Sequence, residues 1–245
     1  EEDRQRTQFY QREADRVRLR AEAPSFAAFL ERLELKIQVA EMLESQIARV
    51  AQLTQRTNQF NTTTLRLSET EIAARGSARC LVTAVQDRLG DHGLVGVTLL
   101  CEDLDALRVE GLLQSCRTLG RGVEHQMLRE VAQRAAAGRS FVDVPLHATA
   151  RNRPVRDFLA GLSQTLAGSQ ELAGGGYRFA TGALTALRFD PQQADEPEVE
   201  SEERGRPQRA RGPEVDPERL VRIARTLIRA DALAAAMSHR RKPAT

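Results

Sequence analysis

The chain has no tryptophan among its 245 residues, and its aromatic share is only 4 %. A surface that holds nucleic acid by base stacking needs aromatic rings, so that class of partner is poorly served. Lysine is nearly absent too: of 36 basic residues only Lys36 and Lys242 are lysines. Acids and bases almost cancel to a formal net charge of +2, so no global field steers the chain to nucleic acid or a membrane. Cysteine is limited to Cys80, Cys101 and Cys116. An odd count without zinc-ligand spacing points to reduced thiols in a cytoplasmic setting and to no structural metal. No apolar run reaches the length of a membrane span.

What is present suffices for a core, since 41 % of the residues are hydrophobic. Residues 1–22 interleave six acids with six arginines, the mark of a solvated helix. The chain opens inside this pattern without an initiator Met, so 1–23 is expected to continue a preceding domain. Ser25 precedes a short helical stretch, 26–33. Leu35, Ile37 and Val39 then alternate with Glu34, Lys36 and Gln38, the period of a strand. Ser45 is placed to cap a helix whose apolar face carries Ile47, Val50, Ala51 and Leu53. That helix runs into an amide-rich cluster containing Gln55, Asn58, Gln59 and Asn61.

Ser68 and Glu71 have capping-box spacing, and Gly76 ends the helix they open. Residues 80–88 and 94–101 are apolar runs on either side of a turn at 90–93, which predicts an antiparallel hairpin. A third strand is expected over 107–116. The loop Arg117-x-x-Gly120-x-Gly122 follows and leads directly into a helix over 123–137, stopped by Gly138. A strand at 140–146, a helix at 152–162 with Pro154 in its first turn, and a last strand at 177–187 complete a domain spanning 24–188. Residues 189–215 carry eight acids and four arginines and read as a disordered acidic linker. An amphipathic helix and connector at 216–245 close the chain. The fold class is α/β (or α+β), with a mixed, largely antiparallel central sheet flanked by helices.

The glycine loop between a strand and a helix is the sharpest chemical signal. Backbone N–H groups approach an anion closely where no Cβ intervenes, and the helix adds its positive end. Arg117, Gly120, Arg121 and Gly122, with Asn152 at the start of a later helix, are therefore candidates to hold the phosphates of coenzyme A or phosphopantetheine. The same glycines also serve a tight turn. The loop resembles the Arg/Gln-x-x-Gly-x-Gly/Ala loop of GNAT acetyltransferases.

Four segments in order carry a second resemblance. They are Arg49-Val-Ala-Gln-Leu-Thr-Gln-Arg-Thr-Asn-Gln-Phe-Asn61, Asp87-Arg-Leu-Gly-Asp-His-Gly-Leu-Val-Gly96, Ser115-Cys-Arg-Thr-Leu-Gly-Arg-Gly-Val-Glu124 and Ala148-Thr-Ala-Arg-Asn-Arg-Pro-Val-Arg-Asp-Phe158. Over roughly residues 1–162 the chain resembles the C-terminal, GNAT-like region of FkbH-type proteins. That resemblance implies an acyltransferase-like domain behind an N-terminal HAD phosphatase-like domain. Such proteins load a short unit such as glyceryl, from a phosphorylated precursor, onto the phosphopantetheine of an acyl carrier protein in polyketide or peptide assembly. The HAD domain, with its Mg2+ and Asp nucleophile, is expected to precede residue 1.

Within this reading Cys116, just before the glycine loop, is a candidate acyl-accepting thiol; a packed cysteine is the alternative. His147 is a candidate base. Gln55, Asn58, Gln59, Asn61 and Thr149 are candidates to bind a hydroxylated acyl unit, or else they cap and turn the chain. Arg117, Arg121, Arg151, Arg153 and Arg156 form a basic rim suited to an acidic carrier helix. Leu159 stands where many acetyltransferases carry an acid Tyr, which argues against amine acetylation. Three functions remain open: an acyltransferase, a catalytically silent carrier-docking module serving the HAD domain, and a coenzyme A-dependent N-acetyltransferase.

Overall fold

The structure is a computed structural model that describes residues 2–193, the side chains of 2–10 and Glu13 excepted. Close contacts group the chain into Glu1–Glu198 and Val199–Thr245. The expected helix at 216–245, and all of the expected linker beyond residue 193, lie outside the described residues.

The charged pattern at the start forms α1 (Glu2–Glu22), and Ser25 caps α2 (Phe26–Leu33) by accepting from the Ala28 N–H at 3.1 Å. The alternation that follows is β1 (Lys36–Glu41). Ser45 does not cap the next helix. A 3-10 turn at Glu44–Gln46 intervenes, with the Gln46 side-chain oxygen accepting from the Leu43 N–H at 2.9 Å, and α3 (Ile47–Arg56) starts after it. A two-residue strand, β2 (Phe60–Asn61), precedes α4 (Glu69–Arg75). The Ser68–Glu71 capping box is present in both directions.

The hairpin joins β3 (Cys80–Asp87) and β4 (Gly90–Glu102). Its turn is tighter than the glycines suggest: Asp87 pairs with Gly90, and Arg88 and Leu89 alone make the turn. The Asp87 carboxylate stabilises it by accepting from the Leu89 and Gly90 N–H groups, both at 2.9 Å. Next come β5 (Ala106–Gln114), α5 (Val123–Ala135), β6 (Phe141–Pro145), α6 (Arg153–Thr165), β7 (Gln170–Glu171), β8 (Gly176–Ala180) and α7 (Thr181–Thr185). The last expected strand is thus half helix. Tyr177 and Phe179 keep a spacing of two, whereas Leu184 and Leu187 are three apart and pack as a helix does.

The strands form one eight-stranded sheet in the order β1-β3-β4-β5-β6-β8-β7, with β2 pairing β5 beside it. Every ladder is antiparallel except β5–β6. This mixed, largely antiparallel sheet flanked by helices is the architecture expected from the sequence. One apolar cluster joins the sheet to α5, α6 and α7, through Val109, Leu112, Met127, Leu128 and Leu159. A second joins the other face to α3 and α4, through Val50, Leu53, Ile72, Val97 and Leu113. Cys80 lies in the second cluster, where burial pushes its thiol up to about 12. Cys101 is half-exposed near the end of β4.

The parallel pair places the site. β5 and β6 are paired only over Ala106–Arg108 and Phe141–Asp143. Beyond that they part, and the edge of β5 is taken by the chain's own β2, with Phe60 opposite Gln114 and Asn61 opposite Leu113. The Thr62 N–H donates to the Leu112 carbonyl at 3.1 Å, and the Thr62 carbonyl accepts from the His147 N–H at 2.8 Å. Residues 60–62 therefore bridge the two diverging strands.

Candidate functional site

Three of the four sequence segments singled out above meet at this divergence. Asn152, fully buried before α6, donates from Nδ2 to the Asn61 carbonyl at 3.0 Å and to the His147 carbonyl at 2.9 Å. Its Oδ1 accepts from the Thr149 N–H at 2.8 Å, while Thr149 Oγ1 accepts from the Asn152 N–H at 3.2 Å. Phe60 packs against Phe158 with ring centroids 5.5 Å apart, and Phe158 meets His125 edge-on at 5.1 Å. The remaining segment, 87–96, joins through Arg49, which donates to the Leu94 carbonyl at 3.2 Å.

Most candidate ligand groups are committed to this scaffold. Asn61 is fully buried, donating to the Thr57 carbonyl at 3.1 Å and accepting from the Thr64 N–H at 2.9 Å. Asn58 accepts from Arg66, whose guanidinium also holds the Thr54 and Thr57 carbonyls. Gln55 is exposed and donates to the Leu67 carbonyl at 3.4 Å; Gln59 is half-buried in the same turn. The amide-rich cluster is therefore a turn-forming device, with Arg66 as its staple. Asn152, expected to bind a cofactor, spends both its N–H donors on backbone carbonyls.

The glycine loop is also occupied from within. Gly120 and Gly122 have φ of 69° and 81°, the left-handed region that suits glycine. The anion they face is the chain's own Glu124. This carboxylate is buried, and Gln114 donates to it from Nε2 at 3.3 Å. Burial raises its pKa, while the N–H groups of Glu124, Gly120 and Gly122 and the Gln114 amide act to keep it charged. A Cβ on Gly122 would meet the Phe189 ring at 2.6 Å. The residues expected to cradle a phosphate thus do not fit one as they stand, because Glu124 fills the nest and β2 fills the strand edge. In sequence Glu124 is an acid in the first turn of α5, and nothing local signals its burial.

Cys116 lies just beyond β5, at the head of a 3-10 turn (Cys116–Thr118), half-buried against the core. It does not end a strand, as expected. Arg117 beside it is exposed. Half-buried Arg49 has its pKa lowered by burial, then by the charges of Arg117 and Arg56. Arg49 thus lies within electrostatic influence of both Arg56 and Arg117, the residue after Cys116. Arg151 and Arg153 are exposed and Arg156 half-buried at the start of α6, whose first turn carries no acid. His147 has an exposed side chain.

Among the described residues, no group of three or more His, Cys, Asp or Glu side chains is gathered as a metal site would need. The chain's Asp-x-Asp, Asp103-Leu104-Asp105, sits in the turn between β4 and β5. Leu104 there is fully exposed, and Asp105 pairs with Arg178 at 2.9 Å. Among the described residues, no helix is long and apolar enough to cross a membrane.

His125, not singled out by sequence, lies between Phe158 and Phe189, each 5.1 Å away by ring centroid. Burial lowers its pKa to about 4. Its folded value is depressed, so the folded chain binds fewer protons than the unfolded chain from the ordinary value near 6.5 down to about 4. The associated stability is full above the ordinary value and lost as pH falls toward about 4. About 2 kcal/mol is expected after allowing for the partly exposed ring. His125→Phe should flatten the fall in urea midpoint between pH 7 and pH 4; an unchanged fall would show that the ring is solvated.

No protein-family model matches the chain, and no curated protein does. Solved structures overlap it in part. The ribosomal-protein-S18-alanine N-acetyltransferase from Escherichia coli is 12 % identical over 58 % of this chain and 89 % of its own, with a TM-score of 0.39. The diaminobutyrate acetyltransferase from Paenibacillus lautus, in complex with its substrate and coenzyme A, is 16 % identical over 53 % and 76 %, with a TM-score of 0.42. A putative acetyltransferase from Salmonella typhimurium, with acetyl-CoA, is 10 % identical over 60 % and 94 %, with a TM-score of 0.41. At such scores the likeness assigns no chemistry to this chain.

Proposed function

We propose that this chain is the GNAT-like region of an FkbH-type protein, acting as a carrier-docking module. It would serve the loading of a short hydroxyacyl unit, glyceryl or a related three-carbon unit, by presenting an acyl carrier protein to the HAD domain where the chemistry occurs. The segments that carry the resemblance are hydrogen-bonded to one another in the fold, which supports reading them as one functional unit.

The observation that carries the docking reading is the placement of charge around a filled cleft. In this reading Glu124 fills the glycine loop and β2 fills the edge of β5, leaving no place there for a phosphopantetheine arm. Arg49 feels the charges of Arg117 and Arg56, while Arg151 precedes α6 and Arg153 and Arg156 lie at its start, Arg153 being paired with Asp157 at 3.1 Å. Cations at a helix N-terminus oppose its dipole. Like charges brought together on a surface favour an anionic partner that relieves them. An acidic carrier helix has that character.

A second reading, an acyl relay, draws on the half-buried Cys116 beside this cluster. The thiolate would attack the carbonyl of an acyl thioester, forming one C–S bond while the other breaks and the departing thiolate takes up a proton.

The test combines binding with intact mass. The chain is mixed with glyceryl-loaded holo carrier protein, and the complex is titrated at low and high salt. Docking predicts a salt-sensitive complex, weakened about ten-fold or more by Arg117→Glu together with Arg151→Glu, and no acyl adduct on the chain. A glyceryl adduct lost in Cys116→Ala would replace docking by the relay. Failure to form any complex would refute both.

A further inference from the structure

α5 and the glycine loop before it also border a cavity that shares Arg121, Gly122 and His125 with the site above. His125 and Arg129 lie four residues apart along one stripe of that helix, and Arg121 precedes it in the glycine loop. These residues border an open cavity of about 470 Å3 lined by α2, the start of β1, α5 and residues 187–191. We propose that this cavity is a binding site for a small amphipathic anion: an apolar chain or ring ending in a carboxylate or phosphate.

The volume is in the range of small-molecule sites. Much of the wall is apolar, from Leu30, Leu35, Ile37 and Phe189. Arg121, Arg129 and Arg188 line it against two acids, Glu31 and Glu34. Among the described residues, neither Arg129 nor Arg188 forms an ion pair, although both acids share the cavity. Arg129 bonds Gln126 from Nη2, and its buried Nε has no hydrogen-bond partner. The Arg121 guanidinium lies 5.9 Å from the Phe29 ring centroid, which fixes its plane at the cavity edge.

His125 adds a neutral imidazole whose Nδ1 is buried without a hydrogen-bond partner, 3.9 Å from the nearest Glu124 oxygen. Cations lining a largely apolar cavity match a ligand with a charged head and an apolar body. Arginine forks bind carboxylate and phosphate alike, so the shared requirement is an anionic head and the experiment separates the two.

The test is a calorimetric titration of the whole chain with three probes of similar apolar length: decanoate, octyl phosphate and decanol. One saturable site is expected for at least one anion, with decanol about ten-fold weaker. Whichever anion binds more tightly identifies the head. Arg129→Gln should weaken the anions about ten-fold and leave decanol unchanged. Ile37→Trp, which fills the slot, should abolish all three while far-UV circular dichroism shows the fold intact. Half-buried Arg129 decides the matter should Ile37→Trp unfold. No saturable heat from any probe, or anion binding indifferent to Arg129→Gln, overturns the proposal. Neither result bears on carrier docking, whose test varies Arg117 and Arg151 instead.

Discussion

Replacing Asp87 by Asn is expected to lower stability by about 3–5 kcal/mol, the range for breaking a buried ion pair by removing one partner. The Asp87 side chain is fully buried and faces Arg16 of α1 at 2.8 Å, with Arg16 itself 4 % exposed. A second Arg16–Asp87 contact at 3.2 Å makes the pair two-pronged. His92 donates from Nε2 to the same carboxylate at 2.8 Å, and the Leu89 and Gly90 N–H groups complete its shell. An Asn keeps the volume and loses the charge, leaving the Arg16 guanidinium buried against a neutral amide.

The pH dependence of this cluster follows from the same contacts. Burial alone would raise the Asp87 carboxyl, but hydrogen bonds from Arg16 and His92 outweigh that and bring it down to about 2. Its stabilisation is therefore present above the ordinary carboxylate value and lost as pH falls toward about 2. His92 is lowered by burial, against the pull of Asp87, so it too favours the fold at the higher pH. Urea unfolding of Asp87→Asn at pH 7 gives the magnitude, and hydrogen exchange along α1 shows whether that helix loosens with it. A loss under about 1 kcal/mol would mean that water reaches the pair and replaces the contact.

The second large effect is expected at Asn152. Asn152→Ala removes three hydrogen bonds and leaves the Asn61 and His147 carbonyls and the Thr149 N–H without their partner. Orphaned buried groups cost about 1–3 kcal/mol each. Part of that is recovered if water enters, so a loss of about 3 kcal/mol is expected in urea unfolding. Asn152→Asp is the instructive companion. It retains the acceptor for Thr149 but turns the donor toward two carbonyls into a third acceptor, so it should be no better than Ala. If Asn152→Ala is near neutral in stability yet abolishes carrier binding, the residue belongs to recognition and the structural role assigned here falls.

Much of the fold was legible because local physics sets it. The Ser25 and Ser68 caps, the period-two alternation through Ile37 and Val39, and the apolar runs of β3 and β4 all appear where they were expected. Boundaries failed where two local signals competed. Gln46 outbid Ser45 at the start of α3, and the Asp87 carboxylate pulled the hairpin turn ahead of its glycines. The aromatic start of 177–187 masked the helix behind it. β2 is too short to carry any periodicity and exists only because β5 offers it an edge.

The candidate site divides along the same line. The sequence by itself determined the α/β class, the glycine loop with its left-handed Gly120 and Gly122, and the placing of Cys116 and Arg117 at the head of that loop, since these depend on residues close in the chain. Only the tertiary structure decided what faces the loop and the strand edge. Glu124 turned inward to its own glycines, residues 60–62 entered the gap between β5 and β6, and Asn152 joined segments 91 residues apart. These contacts are long-range or depend on burial, and no local pattern records which backbone groups a folded chain will leave for its own side chains to satisfy.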